Sequence, residues 1–130
     1  WAKDLGGLKA LIARADANAR VIDDFAAANS WIANLAVKPE TQSNTSICLK
    51  IVDKDVIALD DAVQANFAKG VVALLEKEGV AYDIGAYRDA PSGLRIWAGA
   101  TIETADMQKL MPWLNWAFET QKATLSQAAA

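Results

Sequence analysis

Ile47, Leu49 and Ile51 alternate with Cys48 and Lys50, and Leu94 and Ile96 alternate with Arg95 and Trp97. A pleated strand turns successive side chains to opposite faces, so 46–52 and 94–98 read as half-buried strands. Such a sheet needs cover on its apolar face only, and helical stripes supply it. Trp1, Leu5, Leu8, Ile12, Ala15, Ala19 and Ile22 recur at helical spacing, predicting a helix over 2–29 with an irregular start at Gly6-Gly7. Val63, Phe67, Val71 and Leu74 form a second stripe, capped by Asp60 or Asp61 and stopped at Gly79. Met107, Leu110, Leu114 and Ala117 form a third, capped by Thr101 or Thr104, with Pro112 expected to kink or break it. Segments 31–37 and 80–84 read as short extended pieces, 38–45 as a polar turn, 53–60 as a connection and 85–93 as a loop. Residues 125–130 read as a frayed end. The expected fold class is α/β (α+β), a two-layer sandwich over residues 1–130 with a small mixed sheet and helices packed on one face. Arg95 and Trp97 would lie on the uncovered face.

Composition narrows the chemistry. The chain has 130 residues, 53% of them hydrophobic, enough for one folded core. Thirteen basic against 16 acidic residues give a net charge of −3, which argues against a nucleic-acid partner. There is no histidine, which removes the Ser-His-Asp triad, the Cys-His dyad and His-ligated metals. The single cysteine leaves no internal disulfide and no Cys-rich zinc site, and fits a reducing compartment. With no signal-peptide pattern and no apolar run near the ~18 residues of a membrane span, the expected location is cytoplasmic, without a membrane partner. The helical stripe starts at Trp1 with no capping residue before it, so the chain is expected to continue upstream.

The candidate site centres on Arg95. A guanidinium on an open sheet face, two residues from Trp97, suits two-pronged capture of a carboxylate or phosphate; the competing reading is a surface arginine stacked on Trp97. Tyr82, Tyr87, Arg88 and Asp89 cluster in the preceding loop, as a pocket mouth or a hydrated loop. Asp53, Asp55, Asp60 and Asp61 do not follow the calcium-loop pattern and read as helix caps and solvated groups, so no metal ligand is assigned. Cys48 reads as a buried, inert thiol. Trp113, Trp116 and Phe118 span more than one helix face, so at least one is expected to meet another domain or subunit. Gly70 and Gly79 belong to no phosphate-cradling loop. The residues by themselves fit either part of a larger enzyme or a standalone α/β ligand-binding or regulatory domain.

Three segments together resemble one family. WAKDLGGLKALIARADANARVI is similar to the helix that opens the C-terminal small domain of phosphoserine aminotransferases, with its Trp-x-x-x-x-Gly-Gly start. QSNTSICLKIVD resembles that domain's first long strand, and EGVAYDIGAYRDAPSGLRIWAGATIETADMQKLMPWLNW its closing strand, loop, strand and helix. The resemblance covers nearly the whole chain and is closest to alpha-proteobacterial-type sequences. It implies the small domain of a homodimeric fold type I transaminase dependent on pyridoxal phosphate. Such an enzyme moves an amino group from glutamate to 3-phosphohydroxypyruvate, giving O-phosphoserine in serine biosynthesis; many bacterial members also serve pyridoxine biosynthesis. It also implies that Arg95, in Gly93-Leu94-Arg95, holds the substrate carboxylate. Gln42 stands where relatives often carry Arg and receives no substrate role, and Ile96-Trp97-Ala98-Gly99 replaces a more polar run of some relatives. The Schiff-base lysine, the aspartate for the ring nitrogen and the phosphate-binding residues belong to the family's large domain. The chain alone is therefore expected to hold no catalytic or cofactor-binding residue and to be inactive.

Overall fold

Helix α1 (Gly7–Ala28) begins six residues after its apolar stripe, because Gly6 and Gly7 both take left-handed backbone (φ 108° and 69°). The computed structural model describes residues 1–128, and the side chains of residues 1–125. Strand β1 (Ile32–Asn34) follows, then a 3-10 turn (Pro39–Thr41), β2 (Ser46–Ile51), the short helix α2 (Lys54–Ile57), α3 (Asp61–Lys77), β3 (Gly93–Trp97) and α4 (Thr104–Ala128). The sheet order is β1-β2-β3. Both pairings are antiparallel, with Ile32 opposite Ile51 and Cys48 opposite Arg95.

The two-layer α/β arrangement is as the alternation implies, but the sheet is antiparallel rather than mixed. After α3 the chain runs back through 80–92 before entering β3, and this extra pass reverses β3 relative to β2. Ile47, Leu49, Leu94 and Ile96 are buried beneath the helices, while Cys48, Lys50 and Arg95 are half-buried on the other face. Cys48 thus faces away from the core, and is not the buried thiol expected.

Several elements differ from expectation for local reasons. The strand expected over 31–37 shrinks to Ile32–Asn34, where the Asn34 side chain accepts from the Ala36 N–H at 2.9 Å and turns the chain. The strand expected over 80–84 is reduced to a single bridge, Gly85 to Leu94, because α3 ends in a Schellman motif and Asp83 adopts φ 53°. In that motif the Val80 N–H donates to the Leu75 carbonyl and the Gly79 N–H to that of Glu76. The buried stripe of α3 is Phe67, Ala68, Val71 and Leu75; Leu74 is only partly buried and Val63 is exposed. Pro112 does not break α4: it and Gln108, whose carbonyl it leaves without a helical partner, both face solvent. The first turn of α4 bonds to the Glu103 carbonyl, so neither threonine caps it. The helix persists to Ala128 where fraying was expected from Leu125; residues 129 and 130 lie outside the described residues.

Aromatic packing joins the two ends of the chain. Trp31 stacks on Phe118 with centroids 4.2 Å apart, Phe67 meets Phe118 edge-on, and the Trp31 indole N–H donates to Asn115 at 2.7 Å. Phe118 is therefore a core residue. Trp113 and Trp116 pack edge to face on each other and stay partly exposed. The outer half of the α1 stripe is open as well, with Trp1 62% and Leu8 74% exposed.

Asp53 caps α2 by accepting from the Asp55 and Val56 N–H groups, and Lys122 of α4 lies 2.6 Å from it and 3.0 Å from Asp55. Burial pushes the Asp53 carboxyl up, but the Lys122 ammonium and the two backbone donors outweigh it and hold it below the ordinary carboxylate range. Hydrogen bonds to Asp53 and Asp55 hold Lys122 above the ordinary ammonium range. A depressed carboxylate contributes stability above its unfolded pKa and loses it as pH falls through the folded one; the raised ammonium loses its share only in strong alkali. Lys122→Met should therefore destabilise the fold at neutral pH and progressively less at acid pH, as Asp53 takes up its proton in the native state. Urea unfolding at neutral and acid pH checks this, and an equal difference at the two would contradict it.

Candidate functional site

The open face of the sheet carries the candidate site. Strand alternation buries Leu94 and Ile96 and so turns Arg95 outward, with Cys48 opposite it on β2. The segment beside β3 is held by the Arg95 N–H, which donates to the Ile84 carbonyl at 2.8 Å. This contact brings Asp83 and Tyr87 onto the Arg95 side chain. One terminal guanidinium nitrogen, Nη2, lies 3.1 Å from Asp83 Oδ2 and 3.3 Å from the Asp83 carbonyl. The Tyr87 ring lies against the guanidinium, 4.3 Å from its carbon to the ring centroid. Arg95 stacks on Tyr87 rather than on Trp97, whose ring lies against Gly99 and whose N–H points to Thr101.

Arg95 Nε is buried and has no hydrogen-bond partner. A guanidinium presents Nε–H and one Nη2–H along one edge, the geometry that matches a carboxylate. Asp83 takes the Nη2 end of that edge and leaves the buried Nε end without a partner among the described residues. The side chain of Arg95 is 17% exposed, whereas that of Asp83 is 91% exposed.

Gly93 serves this site through the backbone. A Cβ there would run into the Leu49 carbonyl oxygen on β2. Gly93→Ala should pry β3 from β2 and cost about 2–3 kcal/mol, measurable by thermal or urea unfolding. A loss below about 0.5 kcal/mol would show that the strands give way freely.

Of the loop candidates, Tyr87 is brought to Arg95. Tyr87 and Arg88 line a cavity of about 550 Å³ against Lys69 and Val72 of α3, and Tyr82 lines one of about 310 Å³ beside Arg95 and Trp97. Asp89 is exposed and makes no ion pair among the described residues. Asp83 was not among the sequence candidates; its signal was the antiparallel pairing of 83–85 with 94–95, hidden because 80–84 reads as an independent strand. Gln42, following the 3-10 turn, donates to the Ala36 carbonyl at 3.1 Å. Among the described residues no set of His, Cys, Asp and Glu side chains is arranged for a metal, and no helix is long and apolar enough to cross a membrane.

A covalently held pyridoxal phosphate needs an available lysine and an acidic partner for its ring nitrogen. Lys122, the lysine set between carboxylates, is committed to Asp53 and Asp55 and stabilised as the ammonium, opposite to what a nucleophilic amine requires.

The fold is that of a segment of an aminotransferase. Two solved structures of a phosphoserine aminotransferase, both from work on radiation damage of its Schiff base, superpose with a TM-score of 0.72 at 16% identity, over 92% of this chain and 30% of theirs. The sequence similarity is higher: the chain is 48% identical over 122 residues to the phosphoserine aminotransferase of Methanosarcina barkeri and 46% identical to that of Methanosarcina mazei. By sequence it is a relative of phosphoserine aminotransferases over 94% of its length, and it spans 30% of the length of those relatives. Comparison with protein-family models finds no match.

Proposed function

We propose that this chain is the C-terminal small domain of a phosphoserine transaminase, and that Arg95 grips the carboxylate of the amino-acid substrate. The 48% identity to a phosphoserine aminotransferase over nearly the whole chain carries the reading. In the complete enzyme, bound pyridoxal phosphate supplies the electron sink for amino transfer between glutamate and 3-phosphohydroxypyruvate. The residues that hold it lie in a large domain outside this chain. The part played here is orientation: a planar cation on a rigid strand fixes the carboxylate and with it the reacting carbon. Serine biosynthesis, a second use in pyridoxine biosynthesis, a homodimeric assembly, a cytoplasmic location and the alpha-proteobacterial subtype belong to the same proposal, supported by the family resemblance.

The reading is tested by expressing the complete polypeptide and this chain side by side. The complete polypeptide should convert 3-phosphohydroxypyruvate in the presence of glutamate, and the 130-residue chain should bind no pyridoxal phosphate covalently. A visible absorption band of covalently bound cofactor on the isolated chain would overturn the assignment. So would a complete polypeptide without transaminase activity, which would favour the standalone ligand-binding domain.

A further inference from the structure

We infer that Asp83 is an internal competitor for the Arg95 guanidinium, occupying the place of one substrate carboxylate oxygen until substrate displaces it. The inference rests on the reading of Arg95 as the carboxylate clamp. Three observations on the 83–95 contact carry it. Asp83 Oδ2 sits 3.1 Å from Nη2, on the edge whose other donor, Nε, is buried without a partner. One carboxylate oxygen is thus provided for and the second is missing, so the contact is half of a two-pronged pair. Asp83 is also poorly held: its side chain is 91% exposed and, among the described residues, accepts a hydrogen bond from Arg95 alone. Its backbone lies in the left-handed region at φ 53°, which Asp and Asn adopt more readily than other L residues. An ion pair with one exposed partner is weak and easily exchanged, whereas a ligand carboxylate engaging both Nε and Nη2 forms the stronger, charge-assisted pair. Tyr87 lies against the guanidinium plane, 4.3 Å from its carbon to the ring centroid, so the exchange moves the exposed Asp83 side chain and not β3.

A competitor of this kind lowers apparent affinity by the fraction of clamp it occupies. Asp83→Asn removes the charge, keeps the shape and tolerates left-handed backbone. In the complete enzyme, Asp83→Asn and Asp83→Ala should each lower KM for glutamate about two- to fivefold, with kcat/KM raised. An unchanged or raised KM in both variants, with Arg95→Ala still raising KM, would overturn the competitor role and show Asp83 to be a support for Arg95. An Arg95→Ala enzyme with normal KM would overturn the clamp reading and this inference with it.

Discussion

Asn18→Ala should destabilise the fold by about 3–5 kcal/mol, since each buried polar group left unpaired costs about 1–3 kcal/mol. Asn18 is fully buried, and its amide nitrogen lies 3.0–3.2 Å from the carbonyls of Ala98, Gly99 and Ile102. Its carbonyl oxygen accepts from the Thr104 hydroxyl at 2.7 Å. One side chain thus satisfies the turn that leads from β3 into α4 and ties that turn to α1. Arg14, one helical turn earlier, reinforces the junction by donating to the Ala100 carbonyl at 2.9 Å and pairing with Glu103. Asn18→Asp separates volume from donation. A carboxylate can still accept from Thr104 but offers no N–H to three carbonyl oxygens, so it should be at least as damaging as Ala at neutral pH. Urea unfolding of both variants checks this, and losses below about 1 kcal/mol in both would show that the turn finds other donors.

Asn18 also shows where the sequence stopped being legible. It lies between Ala15, Ala19 and Ile22 on the buried side of α1, at helical spacing, yet a lone Asn in an alanine-rich helix gives no sign of its partners. Those partners are carbonyls 80 to 84 positions away, and backbone carbonyls carry no residue-specific signature. The strands were legible because alternation is local: Ile47, Leu49, Leu94 and Ile96 all fall on the core face, and Arg95 on the open one. Leu75 replacing Leu74 on the core side of α3 reflects the helix's rotation against α4, which tertiary packing decides. Within the site, Arg95 was readable from its strand and Tyr87 from its loop. The pairing of Asp83 with Arg95 was not, because it follows from one cross-chain bridge at Gly85.

Arg95→Ala in the complete enzyme should raise KM for glutamate or phosphoserine by about 10- to 100-fold, the range for losing a charge-assisted, two-pronged contact of about 1.5–3 kcal/mol. Arg95→Lys should recover only part of it. An ammonium retains the charge but lacks the planar edge, and it gives up the stacking surface that Tyr87 covers at 4.3 Å. The effect should not arise from unfolding, because Arg95 lies outside the buried cluster formed by Leu94 and Ile96 beneath it. The most direct measurement is steady-state kinetics of the complete enzyme with and without Arg95→Ala, alongside an unfolding curve for each. A raised KM with an intact unfolding transition is the expected result. An unchanged KM in a folded variant would contradict the clamp and remove Arg95 from the site.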